Sequence, residues 1–144
     1  MALWAKLKFW QKAPALQENI VRGKIGEDAA REFLRQKGLK FLAANFAGAQ
    51  GEIDLIFRDG PSLVFVEVKT RTGEGRTRPG RAVDLQKKKA LVRTAREYLR
   101  MLDEPRAPFR FDIVEVILEN DRPIEIRHIQ QSFTSQNLWR RRRP

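Results

Sequence analysis

The run Gly51-Glu52-Ile53-Asp54-Leu55-Ile56-Phe57 and the run Leu63-Val64-Phe65-Val66-Glu67-Val68-Lys69 decide how this chain folds. Between them stands Arg58-Asp59-Gly60-Pro61-Ser62, a turn signal of the Asp-Gly kind, so the two runs read as the arms of a hairpin. A strand alternates its faces, which puts Glu67 and Lys69 on one side and Val64, Val66 and Val68 on the other, against a core. The second run is also almost wholly apolar on both faces, the composition of a central strand. Acids at the ends of buried strands are costly unless a cation or hydrogen bonds satisfy them. A Glu-x-Lys pair alone is a common solvated ion pair; the apolar neighbours of Asp54 and Glu67 favour a functional cluster instead. Two acids and a lysine gathered at one place can hold a hard divalent cation beside a nucleophile, the equipment of a metal-dependent phosphodiesterase.

Upstream of the hairpin, residues 1–18 read as a loosely attached arm. The spacing predicts a helix from about Asn19 or Gly23 to Lys37, with an apolar stripe of Ile25, Ala29, Ala30, Phe33 and Leu34 and a stop at Gly38. Lys40 to Asn45 makes a first strand. Downstream, Thr72 to Arg81 is a flexible basic loop, and Asp84 is a good N-cap for a second helix reaching about Leu102. Phe111 to Leu118 and Ile124 to Ile129 read as strands joined by a turn at Asn120-Asp121-Arg122-Pro123. The order is α-β-β-β-α-β with one more strand at the end. The long helix between the third and fourth strands makes a right-handed crossover to a parallel neighbour, and the early strands pair antiparallel. The expected fold class is therefore α/β, a mixed sheet flanked by helices. It occupies residues 19–133, with a basic tail over 134–144.

A chain of 144 residues holds one domain with a real core. It has no cysteine, which excludes disulfides, thiolate zinc sites and a cysteine nucleophile and fits a cytoplasmic protein. Against 18 Asp and Glu stand 29 Lys and Arg, a net charge of +11. That excess favours a polyanionic partner. No apolar run approaches a transmembrane length, and the first ten residues mix lysines into their apolar positions, unlike a signal peptide.

Glu27 lies beside Ala30 and Leu34 on the helical wheel, so it can reach the sheet, whereas Asp28 falls on the water side with Arg31, Glu32 and Arg35. It reads equally as a site acid or as a carboxylate favoured by the helix dipole. Glu52 ranks below it, as a ligand, a supporting group or a plain surface acid. Arg71, Arg76, Arg78 and Arg81 run through the basic loop. Lys87, Lys88 and Lys89 stand in the first turns of the second helix, where the dipole disfavours cations unless an external anion relieves the conflict. A phosphate backbone is such an anion. Trp4, Trp10 and Trp139 near the termini are read as packing residues. His128, the only histidine, is read as structural, and no Ser-His-Asp set can be assembled.

Four stretches carry a resemblance: Gly26-Glu27-Asp28-Ala29-Ala30, Gly51 to Ile56, Val64 to Arg71, and Arg110-Phe111-Asp112-Ile113-Val114. Together they make the sequence resemble the bacterial YraN-type proteins, a largely uncharacterised family with a restriction-endonuclease-like fold. That fold is shared with archaeal Holliday-junction resolvases and other PD-(D/E)xK nucleases. The resemblance implies that Asp54 and Glu67 are the metal-binding acids, that Lys69 orients or activates the attacking water, and that Glu27 is the helix-borne acid. Lys87 looks like the family's basic position on the second helix. Where the family commonly has a glutamine just after it, this chain has Lys88.

The expectation is a Mg²⁺- or Mn²⁺-dependent endonuclease that hydrolyses DNA phosphodiester bonds and recognises structure rather than base sequence. Glu27, Asp54, Glu67 and the Val68 carbonyl would hold the metal, and the basic residues would grip the backbone. Junction resolution would call for a homodimer, and no membrane partner is expected. The alternative is a non-catalytic nucleic-acid-binding protein on the same scaffold, but such a binder has no need for three acids facing a polyanion. A membrane-surface protein using the arm and tail leaves the acids unexplained.

Overall fold

The computed structural model describes residues 2–73, 85–104 and 106–133, with side chains from residue 16 to residue 130 of these. Helix α1 (Ala2–Gln36) is followed by β1 (Lys40–Ala47), β2 (Glu52–Asp59), β3 (Ser62–Thr72), α2 (Leu85–Met101), β4 (Phe109–Glu119) and β5 (Arg122–Phe133). The five strands form one sheet in the order β1-β2-β3-β4-β5. Strands β3 and β4 are parallel, while β1–β2, β2–β3 and β4–β5 are antiparallel. This is the expected α/β class, with β3 at the centre of a mixed sheet. No described helix is long and apolar enough to cross a membrane.

Local chemistry fixes the joints. The β2–β3 hairpin closes on the pair Asp59↔Ser62 with Gly60 at φ +58°, the left-handed first position that favours glycine in a two-residue loop. The β4–β5 hairpin places Asn120 and Asp121 at φ +50° and +57°, two residue types that tolerate the left-handed region. Helix α1 ends as its sequence demands. Gly38 sits at φ +94°, the Leu39 N–H donates to the Leu34 carbonyl (3.2 Å), and the Gly38 N–H donates to the Arg35 carbonyl (2.9 Å). Its start lies further upstream than the apolar stripe suggests. Residues 2–18 are rich in Ala, Leu, Lys and Gln, good helix formers, and they continue the helix upstream.

Each face of the sheet is covered by one helix. Ala30 and Leu34 of α1 pack with Leu55, Phe57, Val64, Val66, Val114, Val116 and Leu118; Ile25, Ala29 and Phe33 border them. On the other face, Leu91, Val92, Ala95, Tyr98 and Leu99 of α2 pack with Ile53, Ile56, Phe65, Phe111 and Ile113. Phe57, Phe65 and Phe111 are among the largest fully buried side chains. Each such side chain contributes about 1.5–3 kcal/mol relative to exposure. Both faces of β3 are thus core, which is why its run is apolar on both sides.

A buried polar tie links β4 and β5. Asp112, fully buried on β4, accepts from Arg110 Nε (3.1 Å) and His128 Nε2 (2.8 Å). Arg110 Nη1 also donates to Asp59 Oδ2 (2.9 Å), and Lys37 Nζ donates to His128 Nδ1 (3.0 Å). His128 is structural, as its sequence setting suggests. Its contacts with Asp112 on β4, with Phe33 on α1 and with Lys37 just past that helix join the helix end to the sheet.

Gly26 sets how closely α1 approaches β3. A Cβ placed there would lie 1.8 Å from Thr70 Oγ1 and 2.9 Å from Thr70 Cβ. Gly26→Ala is therefore expected to destabilise the fold by about 1–3 kcal/mol through overpacking. Thr70→Ala in the same chain should recover part of that loss. Thermal melts of the single and double variants test this, and a Gly26→Ala protein melting at the wild-type temperature would disprove the close contact.

Candidate active site

Strands β2 and β3 run in register from Asp59↔Ser62 to Leu55↔Val66, and the pairing ends there. Ile53 packs on the α2 side although Leu55, two residues on, packs on the α1 side. Regular alternation would put both on one face, so the pleat slips at Asp54. The freed Val68 N–H donates to Asp54 Oδ2 (2.8 Å), a side-chain acceptor in place of a ladder carbonyl. Opposite, Asn45 of β1 adopts φ +52°, and its side chain lies near enough to Glu27 on α1 to favour that carboxyl's ionised form. The parting of β2 from β3 opens a cleft of about 620 Å³ lined by Glu27, Asp54, Glu67, Val68, Lys69, Thr70 and Arg71.

All four expected catalytic residues and Val68 thus line one cleft. Asp54 feels the charges of both Glu67 and Glu27. Glu67 is buried on β3, and its Oε1 is met by Lys69 Nζ at 3.2 Å and by Lys87 Nζ of α2 at 2.5 Å. Asp28 is exposed and paired with Lys24 (3.2 Å), on the outer face as expected. Glu52 is exposed but near enough to Glu27 to raise that carboxyl's pKa. Among the described residues no three acidic or histidine side chains form a ready-made metal cage. Glu67 is instead engaged by the lysines.

Arg71 lines the cleft, and its buried Nε meets no acceptor among the described residues. Lys88 and Lys89 are half-buried on α2 and are not among the cleft-lining residues. Arg76, Arg78, Arg81 and the expected cap Asp84 lie outside the described residues, as do Trp139 and the tail.

The electrostatics divide the site into strained acids and a strained lysine. Burial, then the negative charge of Glu67, pushes the Asp54 carboxyl up to about 7, against the Val68 hydrogen bond that favours the ionised form. Burial, then Glu52, raises Glu27. Burial, then contact with Lys87, lowers Lys69, and the neighbouring Glu67 only partly offsets this. Burial also opposes charge on Lys87, but its bonds to Glu67 and Lys69 leave it raised. Of the two ammonium groups on Glu67, Lys69 is the one poised to release a proton.

Two features escape sequence reading. Asn19, Arg22 and Gly23 of α1 join the cleft wall, with Arg22 Nε donating to Asp121 Oδ1 of the β4–β5 turn (3.2 Å). Asn45 approaches Glu27, and its sequence signal is an asparagine inside an apolar strand.

The site is that of an α/β protein whose central strands part around a carboxylate pair and a lysine. The model of the uncharacterised protein family UPF0102 matches residues 26–116, from the close-packed Gly26 to the middle of β4. A UPF0102 protein of Symbiobacterium thermophilum is 47% identical over 77% of this chain and 94% of its own length. One of Solibacter usitatus is 45% identical over 72% of this chain and 80% of its own. One of Rhodococcus opacus is 35% identical over 82% of this chain and its whole length. The chain belongs to the UPF0102 family, the YraN-type proteins that its motifs resemble.

Asp54 makes the site's burden measurable. Its folded pKa of about 7 stands above the ordinary 3.8, so the folded state binds the extra proton between those values. Its contribution to stability is full below the unfolded pKa and is lost as pH rises through about 7. Asp54→Asn keeps an acceptor for the Val68 N–H and cannot ionise. It should melt above wild type at about pH 8, with the gap closing toward about pH 4. Equal melting temperatures across that range would refute the elevated pKa.

Proposed function

We propose that this protein is a metal-dependent endonuclease that hydrolyses DNA phosphodiester bonds, selecting its substrate by structure rather than by base sequence. The observation that carries this reading is the parting of β2 from β3, which leaves Asp54, Glu67 and Lys69 together in one cleft with Glu27 above them. The donor set fits a hard cation. Asp54 lies within electrostatic reach of both Glu67 and Glu27, and the raised pKa values of Asp54 and Glu27 mark two carboxylates that a bound cation would stabilise in their charged form. Asp54, Glu67 and the Val68 carbonyl would hold Mg²⁺ or Mn²⁺, with Glu27 holding it through a water or directly. A bound divalent ion neutralises phosphate charge and lowers the pKa of water.

The chain's own residues do the rest. Lys69, with its lowered pKa, accepts a hydrogen bond or proton from the attacking water in its neutral form. In its charged form it stabilises the negative charge that builds on the phosphorane-like transition state. The Asp54–Val68 bond fixes one carboxylate oxygen and leaves the other for a ligand. Arg71 and the lysines of α2 supply backbone contacts, which position a strand without reading its bases. A four-way junction carries two equivalent strands, so its resolution would take two copies of this chain.

Purified protein should cleave some members of a panel of linear, flapped and four-way-junction DNAs when Mg²⁺ or Mn²⁺ is present. Lys69→Ala should cut at least ~100-fold more slowly, and Asp54→Ala should be inactive. Salt-sensitive binding without cleavage by all three proteins would instead support a non-catalytic nucleic-acid-binding module.

A further inference from the structure

Glu67 is the most firmly engaged acid of the cleft. Two ammonium groups meet the same oxygen, and they come from different places: Lys69 from the same strand, and Lys87 from the third residue of α2. The Glu67 side chain is 7% exposed, whereas that of Lys87 is 42% exposed. The carboxylate is shielded from water while the cation that holds it can be reached from outside. A buried carboxylate paired with cations is already compensated, and a hard cation has to compete with Lys87 for it.

We propose that Lys87 is a latch on Glu67, released when a backbone phosphate of DNA takes over its ammonium group, so that DNA and the divalent cation bind cooperatively. This rests on the nuclease reading above. In the free protein Lys87 satisfies Glu67 and keeps the acid from ligating. On the substrate it moves to a phosphate oxygen, a charge-assisted bond that replaces the one it gives up. Glu67 then turns its lone pairs to the cation beside Asp54. Coupling of this kind is reciprocal: the factor by which DNA tightens cation binding equals the factor by which the cation tightens DNA binding. The cleft would thus be armed only on its substrate.

Calorimetric titration of the full chain with Ca²⁺, a hard cation held by the same oxygen donors, tests this with no turnover needed. It is run alone and after saturation with a short DNA duplex. DNA should tighten Ca²⁺ binding to wild type by ~10-fold or more. Lys87→Gln should bind Ca²⁺ without DNA as tightly as wild type does with it, and DNA should add little. Arg93→Gln removes one charge from the same helix, at a side chain bonded to Gln50 (2.9 Å), and should keep the wild-type coupling. Lys87→Met serves if Lys87→Gln does not fold. Equal Ca²⁺ affinity of wild type with and without DNA would overturn the latch, as would equal effects of the Lys87 and Arg93 substitutions. The nuclease reading would survive either result. No Ca²⁺ binding by any of these proteins, with or without DNA, would overturn both.

Discussion

The Val68 N–H donates to Asp54 Oδ2, where a regular sheet would have it donate to a carbonyl of β2. Much of the cleft follows from that substitution. Because a side chain satisfies the amide, β2 can leave β3 after Leu55↔Val66 without stranding a buried donor. The parting exposes the end of β3, and with it Glu67 and Lys69, to a cleft that α1 walls on one side. Helix α1 can fill that wall only because Gly26 lets it press against Thr70, which brings Glu27 over Asp54.

The arrangement is expensive for a fold to carry. Three acids repel one another in a partly dry cleft, and a lysine beside them is held below its ordinary pKa. Apolar residues of similar size would pack there at no such cost, so the charges are hard to explain as stabilising elements. The rest of the molecule supplies the rigidity that holds them. Two apolar layers clamp β3 from both faces, and the Asp112–His128–Arg110 tie links β4 to β5 beside it. Strain confined to one end of a rigid central strand is the pattern of a site that binds or reacts.

The fold was legible because its signals are local. Period-two alternation, the Asp59-Gly60 turn, the Asn120-Asp121 turn, Gly38 and the apolar stripes of both helices each act over a few residues. The acids Asp54 and Glu67 and the lysine between the helices were legible because charge at the end of an apolar strand stands out. What could not be read depends on contacts between distant residues. Ile53 and Leu55 fall on opposite faces only because the pleat slips, and that slip has no marker in Glu52-Ile53-Asp54-Leu55. Asn45 meets Glu27, and Lys87 meets Glu67, across separations that periodicity does not reach. The upstream extension of α1 was missed for the opposite reason. Residues 2–18 have helical propensity, but the apolar stripe that marks the helix in the sequence begins at Ile25.

Diffraction from crystals grown with Mn²⁺ and a DNA duplex, collected where manganese scatters anomalously, reaches the central claim most directly. An anomalous peak bounded by Asp54, Glu67 and the Val68 carbonyl is expected, with Lys87 drawn away from Glu67. Bound DNA with no manganese peak in that cleft, and Glu67 still held by Lys69 and Lys87, would contradict it.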